Sequence, residues 1–112
     1  MSLPEHWRAT FEAEILQAEK ARAAGNEGMA RVCARRAAGA LAGEYLRRQG
    51  VDLQTPSAYD RLRYLNDLPG VSPQATQAAA RLLERVTPEY TLPDEADLIA
   101  EARRLRQELL GE

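Results

Sequence analysis

The sequence predicts an all-α fold: an up-and-down antiparallel bundle of four long helices and one short one, in a single domain over residues 1–112. Leu and Ala are abundant, whereas Val, Ile and Thr are few and mostly isolated. No stretch alternates apolar with polar residues for four or more positions, as a half-buried strand would. Segments whose apolar residues recur every three and four positions are separated by short Pro- and Gly-bearing breaks. Such short loops favour antiparallel neighbours.

Ser2-Leu3-Pro4-Glu5 has the spacing of a capping box, with Pro in the first turn where its missing N–H costs nothing, so the first helix follows directly. Trp7, Phe11, Ile15 and Ala18 form its apolar stripe, and Gly25 ends it before Asn26 caps the second helix. That helix runs to about Gly50. Thr55-Pro56 opens a short helix carrying Ala58, Leu62 and Leu65, closed by the turn sequence Asn66-Asp67-Leu68-Pro69-Gly70. Ser72-Pro73 is an N-cap with Pro at the first helical position, and the helix it opens places Ala75, Ala79, Leu82 and Val86 on one side before Thr87-Pro88 closes it. The last helix has the seam Leu98, Ala102, Leu105 and Leu109 and stops at Gly111.

The second helix is apolar on two sides. Ala30, Cys33, Ala34, Ala37, Leu41 and Tyr45 fill one broad arc, and Val32, Gly39, Gly43 and Leu46 form another. The first arc has the bundle core to pack against, while the second suits a second subunit, which makes a homodimer the expected assembly. Gly inside a helix costs about 1 kcal/mol relative to Ala, so the glycines at 39 and 43 imply a close backbone approach, across a dimer seam or within one chain.

Composition narrows the function. With 45% hydrophobic and 29% charged residues the chain is of ordinary globular type, which excludes disorder, collagen-like repeats and a disulfide scaffold. Fifteen Lys and Arg against seventeen Asp and Glu leave a net charge of −2, so a general nucleic-acid binder of strongly basic pI is excluded, although a local basic patch is not. One cysteine, no apolar run long enough to span a bilayer and no leader-like start make the cytoplasm the expected compartment and a membrane an unexpected partner.

Catalytic chemistry is sparse. The only histidine, His6, begins the first helix, and no Cys or second His lies at ligand spacing, so no metal site is expected, and no cofactor. Cys33 sits in the Ala-rich arc as a small buried hydrophobe rather than a nucleophile. There is no Gly-rich phosphate loop and no strand to carry one. Acidic residues such as Glu12 and Glu14, or Asp94, Glu95 and Asp97, read as first-turn helix chemistry. What stands out is the arginine group of the second helix. Arg31 and Arg35 share one face; Arg36 and Arg47 share another, beside Gly39 and Gly43, where guanidinium groups could hold phosphate or a partner's carboxylates.

The segment from Ala18 to Gly28, running into Arg31-Val32-Cys33-Ala34-Arg35-Arg36-Ala37-Ala38-Gly39, resembles small prokaryotic proteins of the HEPN family, as do Leu82 to Tyr90 and Ala96 to Leu109. The resemblance covers nearly the whole chain. It implies a five-helix bundle, commonly a homodimer. Many members are metal-independent ribonucleases that use an Arg followed after four to six residues by a His, and others are binding domains, often beside a minimal nucleotidyltransferase. This sequence departs from the catalytic pattern: His6 has no Arg at the required distance upstream, and the stretch from Arg85 reaches Tyr90 where a His is wanted. A phenol with a pKa near 10 is a poor general base at neutral pH. The resemblance therefore implies no catalysis and a binding module for a nucleotide, an RNA segment or a protein such as a nucleotidyltransferase. The alternative is a divergent metal-independent ribonuclease without the usual histidine.

Overall fold

The computed structural model describes residues 6–51, 53–84 and 97–112. Within them the chain forms five helices and no strand: α1 (His6–Ala23), α2 (Glu27–Arg48), α3 (Ala58–Asn66), α4 (Pro73–Leu83) and α5 (Leu98–Leu110). α1 packs along α2, and α2 also touches α3, α4 and α5, while α3 and α5 both pack on α4. Helix α2, of 22 residues, is thus the element the others share.

Local chemistry explains the boundaries. The Asn26 side chain accepts from the Met29 N–H at 3.1 Å, and Ser72 does the same for Ala75 with Pro73 at the first helical position. Gly111, at φ 71°, lets α5 end in the left-handed conformation. Helix α3 differs from expectation by one capping residue: Ser57, not Thr55, caps it, accepting from Asp60 N–H at 3.1 Å. The Thr55 hydroxyl supports that cap from behind, accepting from Ser57 N–H and donating to the Asp60 carboxylate, both at 3.1 Å. Helix α4 ends at Leu83, where Glu84 turns to an extended backbone. The expected capping box at Ser2–Glu5, and Val86, Thr87 and Pro88, lie outside the described residues.

The centre of α2 is built of small side chains, with Ala34, Ala37, Ala38 and Ala42 all fully buried. Alanine costs no side-chain entropy on burial and lets helices approach closely. Bulk comes from α1, α3, α4 and α5 through such residues as Phe11, Leu62, Leu65, Leu82 and Leu105.

Arginines tie α1 to α5. The guanidinium carbon of Arg106 lies 4.9 Å from the Phe11 ring centroid and 5.1 Å from that of Trp7, while Arg8 covers Trp7 at 4.9 Å. Arg106 also pairs with Glu12, so that carboxylate serves a contact between helices rather than the first turn of α1, which holds no acidic residue. At the chain's end Glu112 takes both Arg8 and Arg106. The Arg8 guanidinium, helped by Arg106, pulls its carboxyl down from 4.5 to about 2. A carboxyl whose pKa falls on folding stabilises the fold above its unfolded value and yields that stabilisation as pH drops toward the folded one. Wild type is therefore expected to melt higher than Glu112→Gln at pH 7, with the gap narrowing below about 4.5 and closing near 2. A gap independent of pH in thermal melts would refute the clasp.

Candidate functional site

A groove runs along the outer side of α2 between α1 and α3. Gly39, Ala40 and Gly43 lie along its floor; His6, Trp7, Thr10 and Glu14 of α1 line one side, and Pro56, Ala58 and Arg61 line the other. It comprises adjoining depressions of about 390, 270 and 380 Å³, and Arg61 lines all three.

The glycines create this geometry. A Cβ on Gly39 would lie 2.4 Å from the Ala58 Cβ and 2.7 Å from its Cα, so the start of α3 rests directly on the α2 backbone. A Cβ on Gly43 would stand 2.9 Å from Nη1 and 3.0 Å from Cζ of Arg61. The close approach implied by the sequence is therefore made inside the chain, by α3. Of the four residues of the second apolar arc, Leu46 is 1% exposed, Gly39 is buried, Gly43 is half-buried and Val32 is 37% exposed.

Arg61, half-buried, is aimed by backbone oxygens. Its Nε donates to the Thr55 carbonyl and its Nη1 to the Gly39 carbonyl, each at 3.2 Å. Neither acceptor is a carboxylate, so these bonds orient the guanidinium without neutralising it. Arg61 was not singled out from the sequence, yet its position shows there: three residues after Ala58 and four before Leu65, it falls on the apolar face of α3.

The arginines of α2 divide. Arg36 is exposed and, among the described residues, makes no hydrogen bond or ion pair; it stands at one end of the groove with Glu14. Arg47 stands at the other end, about 16 Å along the helix at 1.5 Å per residue. Arg47 is not free: its Nε and Nη2 donate to both oxygens of Glu44, at 3.0 and 2.8 Å, and Arg48 joins the same carboxylate at 2.8 Å. Arg47 and then Arg48 hold the buried Glu44 carboxyl below the usual range, against the upward pull of burial. Arg31 and Arg35 do not join the groove. Arg35 reaches the Leu82 carbonyl at 2.6 Å and that of Glu84, satisfying the last turn of α4, and Arg31 is half-buried with an unpartnered Nε. The lining side chains carry three arginines against two carboxylates, a local positive balance in a chain of net charge −2.

The remaining candidates are quiet. Burial, and then Glu14, push the Cys33 thiol upward, so the neutral form dominates. Among the described residues no group of three His, Cys, Asp or Glu could hold a metal ion, and no helix is long and apolar enough to cross a membrane. Arg85 and Tyr90 lie outside the described residues. Compared with family models, curated proteins and solved structures, the chain matches none of them.

Proposed function

We propose that this chain is a noncatalytic binding module, a HEPN-like up-and-down bundle of five helices, that takes an anionic partner in the groove between α1, α2 and α3. The partner class is a nucleotide, an RNA segment or the acidic surface of another protein. One observation carries this reading: two guanidinium groups, Arg36 and Arg61, face one groove with no carboxylate bonded to either among the described residues. Arginines in ion pairs, Arg47 of the groove among them, spend their charge on Glu or Asp; Arg36 and Arg61 keep theirs available. The missing Arg-to-His spacing supports binding without cleavage.

An anion that binds the folded state alone raises the melting temperature with the logarithm of its concentration over its dissociation constant. Sulfate and phosphate also stabilise generally by exclusion from the surface, so the comparison is between wild type and Arg36→Gln in matched buffers. A smaller rise in Arg36→Gln than in wild type, with phosphate, a nucleoside monophosphate and an RNA oligonucleotide, is the expected outcome. Equal rises in both proteins with every anion would mean that Arg36 is only a solvated charge, and the module reading would fall.

A further inference from the structure

We infer that Arg61, laid over Gly43 and aimed by two backbone carbonyls, is the anchor of a phosphate-ester site, and that Gly43 exists to seat its guanidinium. This rests on the groove being a binding site, and it selects one ligand chemistry from the anions considered above.

Guanidinium has five N–H groups, and the bonds to the Thr55 and Gly39 carbonyls use two, leaving three on its outer edges. They are held in a fixed plane because Nε and Nη1 are both tethered and a bare helix backbone lies beneath. A fork held this way loses little entropy on binding, which is the condition for bidentate recognition of an oxyanion.

Charge distinguishes phosphate from carboxylate. Arg36 and Arg61 bring two positive charges with no carboxylate bonded to either, beside the single negative charge of Glu14, and Arg47 with Arg48 share that of Glu44, which leaves a surplus of two positive charges. A phosphate monoester carries about −1.5 to −2 near neutral pH and presents three acceptor oxygens, which suits this surplus better than a lone carboxylate does.

Trp7 lines the middle depression beside Arg61 and Arg47 and is 6% exposed, yet its Nε1–H has no partner among the described residues. Buried donors without acceptors are few in native proteins and tend to mark places where a water or ion completes the set.

Trp7 is the only tryptophan, so its emission reports on the groove, and calorimetry gives an independent readout where the ligand absorbs. Inorganic phosphate, a nucleoside monophosphate, a single-stranded oligonucleotide and acetate are titrated into wild type, Gly43→Ala, Arg61→Lys and Arg61→Gln. Wild type is expected to bind the phosphate probes at least tenfold more tightly than acetate. Gly43→Ala is expected to melt at or above wild type, since Ala favours helix, and yet to lose phosphate affinity tenfold or more because the new methyl displaces the guanidinium. Arg61→Gln is expected to lose it as well, and Arg61→Lys should fail to restore it, because an ammonium cannot hold the same fork. The slope of log affinity against log salt separates the sources: about −1.4 for a strand whose phosphates meet Arg36 and Arg61 together, and under −1 in magnitude for a single phosphate.

Undiminished phosphate binding by either Gly43→Ala or Arg61→Gln would overturn the inference, as would equal affinity for acetate or no binding of any phosphate probe by wild type. If Arg36→Gln loses anion stabilisation while the Arg61 variants keep it, the module reading stands and the Arg61 anchor falls.

Discussion

Gly39→Leu is expected to cost about 3 kcal/mol and to lower the melting temperature by about 10 °C, although leucine is much the better helix former. Even the first added carbon has no room, since a Cβ there would meet the Ala58 Cβ at 2.4 Å and its Cα at 2.7 Å. The second of these is backbone, so relief requires α3 to move off α2 and not a rotamer change. Arg61 would move with it, because its Nη1 bonds the Gly39 carbonyl and its Nε the Thr55 carbonyl just ahead of α3. Gly28→Ala is the control on the same helix. There the nearest atom to an added Cβ is the Asn26 Oδ1 at 3.8 Å, so propensity alone acts and stability should rise by up to about 1 kcal/mol. Melting by circular dichroism checks both. A Gly39→Leu protein melting within about 2 °C of wild type would show that α3 does not rest on α2 at this point.

Three glycines of one helix thus carry three different constraints, and this marks where reading a sequence stops. The cost of Gly39 and Gly43 in a helix is visible from residue type, and so is the need for something close beside them. What comes close is not, because periodicity defines a face without naming its cover. A second copy of the chain and the short helix beginning at Ala58 satisfy the same pattern. Helix positions were legible because their signals are local: Asn26, Ser72 and Gly111 each act on a backbone group within a few residues. Ser57 caps α3 in place of Thr55 because its hydroxyl accepts from the Asp60 N–H, while the Thr55 hydroxyl donates to the Asp60 carboxylate.

The arginines show the same boundary. Spacing puts Arg31 and Arg35 on one face of the continuous helix α2 and Arg36 and Arg47 on another. It could not show that Arg35 ends on the carbonyls of α4, 47 and 49 residues away, or that Arg47 spends its charge on Glu44. Arg61 lies among apolar neighbours on a helix of 9 residues, and an arginine in an apolar arc needs partners that its own helix does not supply. Those partners, two backbone carbonyls and a glycine, depend on how α3 crosses α2.

Phe11→Ala is expected to be the most damaging truncation among the described residues, costing about 3 to 5 kcal/mol. Phe11, the single phenylalanine, is 2% exposed, and the face turned toward α5 carries the Arg106 guanidinium at 4.9 Å. The loss should fall in the upper part of that range because the site cannot collapse. Helices α1 and α2 already meet through small side chains, with Ala18, Ala34 and Ala37 fully buried, so no slack remains for α1 to sink into the space the ring leaves. The lost ring would also remove one of the two aromatic surfaces that hold Arg106 in place for Glu12 and Glu112. Against a total stability of about 5 to 15 kcal/mol for a domain of this size, such a loss lowers the melting temperature by about 15 °C or unfolds the protein at 37 °C. Phe11→Leu separates volume from aromaticity: it keeps most of the bulk and should cost about 1 to 1.5 kcal/mol, with Arg106 stacked on Trp7 alone. Urea denaturation measures both, and a Phe11→Ala loss below about 2 kcal/mol would mean that the alanine contacts give way and the α1–α2 interface is softer than its packing implies.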